Sequence, residues 1–291
     1  MGLDKKKLDK KKRILIPSIA TLIQNANLKG FFTGKIYTGQ SKGVCVPGLN
    51  CYSCPGAVGA CPIGSLQNAL SAYKFRLPYY VVGLILFFGT ILGRLICGFL
   101  CPFGFLQDLL HKIPFPVKRK IFRADKYLRY IKYIILTFLV ILLPICVKLT
   151  PFFCKYVCPS GTLAGILLAI SDHSLFQAFG KLFTWKFIVL CIVAFSSVII
   201  ARPFCKYLCP LGAIYGPLNK ISLYHMECDT AKCISCGKCS AVCDMCVDPT
   251  KDANSTECIR CLKCVHECPV KAISAGITGL PLEGKVSRSD G

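Results

Sequence analysis

Eight cysteines near the carboxyl end constrain this chain more than any other feature. They read Cys233-x2-Cys236-x2-Cys239-x3-Cys243, followed by Cys258-x2-Cys261-x2-Cys264-x3-Cys268-Pro269. Two runs of this kind hold two [4Fe–4S] clusters: three close thiolates take three irons of one cubane, and the fourth cysteine reaches across to the other. The spacing therefore predicts one set of Cys233, Cys236, Cys239 and Cys268, and a second of Cys243, Cys258, Cys261 and Cys264. Zinc ribbons also use Cys-x2-Cys pairs, but a tetrahedral zinc takes four sulfurs. Eight in this doubled order favour iron–sulfur. In one departure, Cys243 is followed by Asp244 rather than proline, and Cys246 lies three residues on, so either thiol can close the second set.

The rest of the 291-residue chain points to a membrane. Hydrophobic residues make up 54% and charged residues only 17%, against about 25% charged in soluble domains. The net charge of +22 is unevenly placed: residues 1–209 hold 27 Lys/Arg against 5 Asp/Glu, and residues 210–291 hold 9 of each. These basic residues flank apolar runs and form no aromatic-interleaved patch, which excludes nucleic acid as the expected partner and favours anionic lipid. Twenty-two cysteines exceed what packing uses, and a secreted disulfide scaffold would lack long apolar runs. No cleavable signal peptide is expected, because the apolar run after the basic start is short and has no small-residue cleavage pattern.

Three runs approach the length a bilayer requires, at 79–97, 129–149 and 183–201, with Tyr79, Tyr80 and Trp185 at their ends. A fourth run, 14–32, is interrupted by Pro17, Gln24, Asn25, Asn27 and Lys29, and 161–170 has the length of a re-entrant half helix. Residues 1–13 hold seven Lys/Arg and the loop 98–128 holds six, whereas 33–78 holds four and 150–182 two. Basic loops stay inside. The expected topology has four spans, with 98–128 and the cysteine-rich C-terminal region cytoplasmic, and 33–78 and 150–182 outside.

One pattern recurs at the expected membrane surfaces: Cys61-Pro-Ile-Gly, Cys101-Pro-Phe-Gly, Cys158-Pro-Ser-Gly and Cys209-Pro-Leu-Gly. Three of these carry a second cysteine four residues earlier, giving Cys97/Cys101, Cys154/Cys158 and Cys205/Cys209. Positions i and i+4 share a helical face, so each pair can offer two thiolates. Proline is expected to end the preceding helix, and glycine to permit a tight turn. Cys97/Cys101 and Cys205/Cys209 fall on the inner side, each with an arginine three residues ahead of the pair, Arg94 and Arg202. Together they supply the four sulfurs of one [4Fe–4S] cluster, with the arginines as counter-charges; the alternative is two helix anchors and four packed thiols.

The outer side holds Cys45, Cys51, Cys54, Cys61, Cys154 and Cys158. A further cluster can be drawn from Cys51, Cys54 and Cys61 with Cys154 or Cys158. Alternatively Cys154 and Cys158 bind with two loop cysteines and the remaining pair forms a disulfide, which this compartment permits. Cys146 and Cys191 read as small hydrophobic residues within helices, and Cys228 has no assignment. His111, His173, His225 and His266 show no paired metal spacing, although His173 with Asp172 could handle a proton for a quinone. No Walker, dinucleotide-binding or nucleophile-elbow motif appears.

Arg94-Leu-Ile-Cys97-Gly-Phe-Leu-Cys101-Pro-Phe-Gly, Phe204-Cys205-Lys-Tyr-Leu-Cys209-Pro-Leu-Gly and the two cluster runs resemble the NapH/NosR-type membrane iron–sulfur proteins. Cys45-Val-Pro-Gly-Leu-Asn-Cys51-Tyr-Ser-Cys54-Pro-Gly-Ala is similar to a branch found in anaerobic bacteria. The resemblance covers nearly all of the chain after about residue 28. It implies a multispan membrane protein that passes electrons between a membrane donor and a redox partner. NosR-type proteins carry a flavin-binding outer domain that these residues do not show, so a separate flavoprotein joins a quinone among the expected partners. Cys154/Cys158 goes beyond the two such frames associated with NapH.

The expected fold is thus an α-helical membrane bundle of about four spans plus a re-entrant segment, followed by a ferredoxin-like α+β domain. The expected division is a basic N-terminus (1–13), a membrane domain (14–221), a two-cluster domain (222–280) and a flexible tail (281–291). The expected function is electron relay without bond-making chemistry. A quinone-linked oxidoreductase subunit and a redox sensor or cluster-assembly factor are the alternatives.

Overall fold

The computed structural model describes residues 2–72, 78–116, 118, 125–148, 150–171 and 180–277. Arg119, Lys120 and Arg123 of the basic loop, Asp172, His173 and the expected tail 281–291 lie outside them. The apolar runs form helices whose ends are set by particular residues. The run 14–32 is divided between α1 (Gly2–Gln24) and α2 (Leu28–Thr33). At the break, the Asn25 side chain donates to the Thr21 carbonyl and that of Asn27 to the Pro55 carbonyl, which gives the backbone an alternative to the helix. The next run forms α4 (Tyr79–Leu92), stops at Gly93 with φ +56°, and resumes as the short α5 (Leu95–Phe99). A Cβ at Gly93 would lie 2.4 Å from Asn219 Oδ1, so both backbone conformation and space require glycine there.

Among the described residues, two helices are long and apolar enough to cross a membrane. One runs Asp125–Cys146, as α7 (Asp125–Ile135), a π-helical stretch (Leu136–Leu142) and α8 (Leu143–Cys146). Pro144 has no N–H to return to the Val140 carbonyl, which accounts for irregular winding at this place. The other is α10 (Lys181–Ile199). Both present large apolar side chains outward, among them Ile134, Phe138, Phe187, Ile192 and Phe195. Helix α4 and α9 (Pro159–Ser171) are apolar but shorter.

Each Cys-Pro-x-Gly segment opens a helix: α3 (Pro62–Ser71), α6 (Pro102–His111), α9 and α11 (Pro210–Leu218). Proline at the first helical position loses nothing, because that N–H has no intrahelical partner. The glycine was expected at a tight turn, but it lies inside the new helix, and at Gly104 and Gly212 it serves close approach instead. A Cβ at Gly104 would meet the Cys97 carbonyl oxygen at 3.1 Å and Arg202 Nη1 at 3.3 Å. At Gly212 it would meet Arg94 Nη2 at 3.2 Å and the Cys205 carbonyl oxygen at 3.3 Å. The preceding pairs Cys154/Cys158 and Cys205/Cys209 are wound as π-helix (Phe153–Val157, Phe204–Leu208), closed by the Cys158 N–H on the Phe153 carbonyl and the Cys209 N–H on that of Phe204.

The C-terminal region pairs β1 (Tyr224–Cys228) antiparallel with β2 (Ile273–Ile277), in the register Tyr224 opposite Ile277 to Cys228 opposite Ile273. Two five-residue helices, α12 (Lys238–Val242) and α13 (Lys263–Glu267), follow the cysteine loops. The loops repeat each other at an offset of 25 residues: φ is positive at Ser235 and Arg260, at Gly237 and Leu262, and at Cys246 and Lys271.

One apolar core runs through both regions. It joins Ile96, Phe103, Phe153, Phe204 and Tyr215 to Met245, Val247 and Ile259 of the C-terminal region. Buried polar contacts hold the same seam. Asn219 donates to the carbonyls of Ser255 and Cys258, and the fully buried Arg260 donates to the carbonyls of Leu92 and Asn219.

Candidate metal centres

The eight C-terminal cysteines fall into two groups of four. Cys233, Cys236, Cys239 and Cys268 line one small cavity; Cys243, Cys258, Cys261 and Cys264 line another, each of about 20 Å³. Backbone N–H groups point at equivalent sulfurs, Ala272 N at Cys268 Sγ (3.3 Å) and Val247 N at Cys243 Sγ (3.4 Å). Cys246 occupies the position of Lys271 in the other loop, and its Sγ lies 3.9 Å from Lys206 Nζ, outside the second cavity. Cys243 is the thiol beside Cys258, Cys261 and Cys264.

The inner four also converge. Cys97, Cys101, Cys205 and Cys209 are all buried and face one another electrostatically. Gly104 N donates to Cys101 Sγ and Gly212 N to Cys209 Sγ, both at 3.4 Å. The two arginines are exchanged between frames. Arg94 Nη2 reaches the Cys205 carbonyl at 3.3 Å, and Arg202 Nη1 reaches the Cys97 carbonyl. Each is also paired: Arg94 with Glu257 at 3.2 Å, Arg202 with Asp108 at 2.5 Å. Lys132 joins Glu257 at 2.5 Å, so two buried cations share one carboxylate. Burial alone would raise the Glu257 pKa, but Arg94 and Lys132 outweigh it and hold the carboxyl below its ordinary value.

On the other side, Cys51, Cys61, Cys154 and Cys158 line a cavity of about 680 Å³. Lys42 and Lys186 line it too, and among the described residues no ion pair involves either. Lys42 is 5% exposed, with Nζ on the Ala57 carbonyl at 2.7 Å. Cys54 does not line this cavity, although it shares a packing cluster with Cys51, which does. It packs against Ala57 and Ala164, with Sγ 3.7 Å from Asn25 Oδ1. Cys45 lies apart as well, its Sγ 3.5 Å from Ser65 Oγ. All 22 cysteines are free, so the disulfide that six outer thiols would allow is not formed.

Burial dominates the thiol chemistry. It pushes Cys205 and Cys61 up to about 12, and Cys158 and Cys258 up to about 11. Such thiolates form at neutral pH only when a bound cation takes their charge, which couples metal binding to proton release. Among the described residues no three Cys, His, Asp or Glu groups are arranged to hold a single metal ion. A tetrahedral zinc with Zn–S near ~2.3 Å would demand such crowding, whereas a cubane takes one sulfur at each of four separate irons. Arg94 Nε is moreover buried without a hydrogen-bond partner among the described residues. An acceptor held by the inner sulfurs would satisfy it. The donor sets fit iron–sulfur clusters.

Cys146 and Cys191 are exposed on the apolar helices, and Cys228 lies beside Cys233. His111 Nδ1 lies 3.2 Å from the Ser197 carbonyl oxygen and His225 pairs with Glu227, while His266 is in α13. The sequence reading missed two buried glutamines. Gln67 and Gln107 each stand six residues after a cysteine, Cys61 and Cys101, and each accepts a backbone N–H from the opposite frame. The signal was present: two frames carry Gln at that offset, and the other two read Phe-Cys-Lys-Tyr. Each membrane-side set joins one frame of each type.

A family model described as a 4Fe-4S binding domain matches three times, at residues 77–122, 132–174 and 182–224, each match containing one Cys-x3-Cys-Pro frame. A second model of the same description matches residues 253–274. An uncharacterized protein of Methanocaldococcus jannaschii, MJ0750, is 30% identical over 193 residues, covering 63% of this chain and 72% of that protein. The putative electron transport protein YccM of Escherichia coli is 26% identical over 221 residues, 71% of this chain and 56% of YccM. The ferredoxin-type protein NapH of Haemophilus influenzae is 26% identical over 206 residues, 65% of this chain and 64% of NapH. No solved structure matches the chain. With cysteine sets suited to [4Fe–4S] clusters and these matches along most of its length, the chain belongs to the NapH/NosR-type 4Fe-4S electron-transfer proteins.

Proposed function

We propose that the chain is a membrane-embedded electron relay with four cysteine sets strung across the bilayer. The division proposed is a basic N-terminus (1–13), a membrane domain (14–221), a two-cluster domain (222–280) and a tail (281–291). The spans are 14–32, 79–97, 129–149 and 183–201, with α9 as a half helix; the basic loop 98–128 and the C-terminal domain are cytoplasmic. Cys233, Cys236, Cys239 and Cys268 hold the outermost cytoplasmic cluster, and Cys243, Cys258, Cys261 and Cys264 the next. Cys97, Cys101, Cys205 and Cys209 hold the third, with Arg94 and Arg202 as counter-charges. Cys51, Cys61, Cys154 and Cys158 hold the fourth, at the outer face.

Bound clusters of this type supply one-electron reduction and oxidation. The protein's own residues fix their order, dryness and charge. The observation that carries the reading is the seam at residues 254–260. A Cβ at Gly98, beside Cys97, would lie 2.6 Å from the Ile259 carbonyl oxygen, and Asn219 grips the Ser255 and Cys258 carbonyls. The Cys258 set therefore adjoins the inner four, and the Cys233 set is distal. The outer cavity, far larger than those of the C-terminal domain, gives a partner access at that end.

Iron and acid-labile sulfide per chain, measured on protein purified without oxygen, test this. Sixteen irons are expected from four clusters of four. Cys97→Ser and Cys205→Ser should each lose the same four, Cys61→Ser and Cys154→Ser a different four, and Cys54→Ser none. Independent losses from Cys97→Ser and Cys205→Ser would refute the shared inner site.

A quinone-linked reading has its own observation. An apolar cavity of about 380 Å³ lies between the Cys101 and Cys51 elements, lined by Leu22, Phe31, Phe103 and Leu167, with Asn25 and Asn50 as polar groups. Quinone-dependent reoxidation of the reduced protein, lost on enlarging Ala164 to Phe, would support it.

A further inference from the structure

We infer that Gln107 is a positioning residue that raises the reduction potential of the inner cluster, by donating its side-chain N–H to Cys205 Sγ. This rests on the proposed ligand set Cys97, Cys101, Cys205 and Cys209. Gln107 is 1% exposed, on α6, with Nε2 3.1 Å from Cys205 Sγ. Amide oxygen and nitrogen can be exchanged in placement, but here the neighbours decide. Oε1 accepts from the Phe204 backbone N–H at 3.1 Å, so the NH2 group must face the other way. Its two hydrogens meet Cys205 Sγ and the Phe103 carbonyl, at 3.1 and 3.3 Å. Every hydrogen-bonding position of the amide that points into the site is thereby used.

The other N–H donors on the inner sulfurs among the described residues are backbone groups, Gly104 and Gly212 of the Cys-Pro helices and Leu49 beside Cys101. Any frame of this kind supplies the glycine donors. Among the described residues, Gln107 gives the one side-chain N–H bonded to an inner sulfur. Negative charge on a cluster's sulfurs grows on reduction, so a fixed donor at a sulfur favours the reduced state.

The chain contains its own control. Gln67 stands at the same offset after Cys61, is fully buried, and accepts the Cys154 backbone N–H at 3.2 Å. Its NH2 group, however, donates to the Leu139 carbonyl at 2.8 Å. Both glutamines hold the opposite frame in place, and only Gln107 also bonds a sulfur.

The test is an EPR-monitored redox titration of the full chain, purified without oxygen, with iron and sulfide counted in each sample. Gln107→Met should keep the iron content and lower the inner potential, by about a tenfold change in the ratio of reduced to oxidised cluster, or about 59 mV for one electron. Gln67→Met should leave the inner potential where it is. An unmoved potential in Gln107→Met with iron retained overturns the tuning role, as does an equal shift in Gln67→Met. If Gln107→Met loses the cluster, pulsed EPR on reduced wild-type protein with 15N-labelled glutamine side chains decides. A hyperfine coupling that survives Gln67→Met supports the bond to sulfur, and no coupling overturns it. Wild-type protein with only eight irons would instead remove the inner cluster itself, which separates that failure from failure of the tuning role.

Discussion

Glu257 is one carboxylate between two fully buried cations, Arg94 on the α4–α5 junction and Lys132 on α7. Removing one partner of a buried ion pair typically costs ~3–5 kcal/mol, because the remaining charge stays desolvated. Glu257→Ala should therefore destabilise docking of the C-terminal domain by about that much, read as faster limited proteolysis and a lower thermal midpoint. Asp108, whose side chain is 38% exposed in its pair with Arg202, is the comparison. Asp108→Asn leaves the buried Arg202 on the Cys97 and Gly98 carbonyls and should cost less than Glu257→Ala. Equal effects would show that burial does not govern these pairs. The two arginines were legible in the sequence because each precedes a cysteine pair at the same offset. Their exchange between frames was not, since no local pattern encodes a hydrogen bond between Arg94 and Cys205 or an ion pair to a carboxylate 163 residues away. Cys51 and Cys54 illustrate the same limit: their spacing places two thiols close in sequence, and both pack with Ala57 and Ala164, yet only Cys51 also lines the cavity shared with Cys61, Cys154 and Cys158.

The elements follow from local chemistry, with proline starting the four Cys-Pro helices and glycine letting two of them, at Gly104 and Gly212, approach the opposite frame. The cysteine spacing pointed to two C-terminal loops of like form but left Cys243 and Cys246 both open for the second set; in the structure Cys243 is the one beside Cys258, Cys261 and Cys264. The π-helical winding of Phe153–Val157 and Phe204–Leu208 was not readable, because α and π turns use the same residue types and differ by one step in hydrogen bonding. Gly98 shows what the element boundaries protect. A methyl group there would meet backbone, the Ile259 carbonyl oxygen at 2.6 Å, which has no flexible end to yield. Gly98→Ala should retain iron in both C-terminal sets yet separate the domain from the membrane part, read as slowed electron equilibration after rapid-mixing reduction of the C-terminal clusters. Gly43→Ala meets nothing within 4 Å and should leave the rate unchanged. A normal rate in Gly98→Ala would remove the seam at 254–260 as the route.

For the molecule as a whole, the proposed bilayer placement predicts how two unused thiols react. Cys146 and Cys191 are exposed on helices whose outward faces are apolar. In intact vesicles a lipid-soluble maleimide should modify both, and a charged maleimide neither. Labelling of Cys191 by the charged reagent would place α10 in water. The apolar runs made these helices legible, yet among the described residues only Asp125–Cys146 and Lys181–Ile199 are single helices long and apolar enough to span. Gly93 and Asn25–Asn27 break the other two runs, and such breaks depend on partners distant in the chain, Asn219 and Pro55. The shared carboxylate has a last consequence, in time. Synthesis at ~5–20 residues per second puts Glu257 on the order of ten to thirty seconds behind Arg94 as the chain leaves the ribosome. Cys97 and Cys101 wait through that interval, but Cys209 precedes Glu257 by only 48 residues, so the four inner thiols of the proposed set stand complete and uncovered for roughly two to ten seconds.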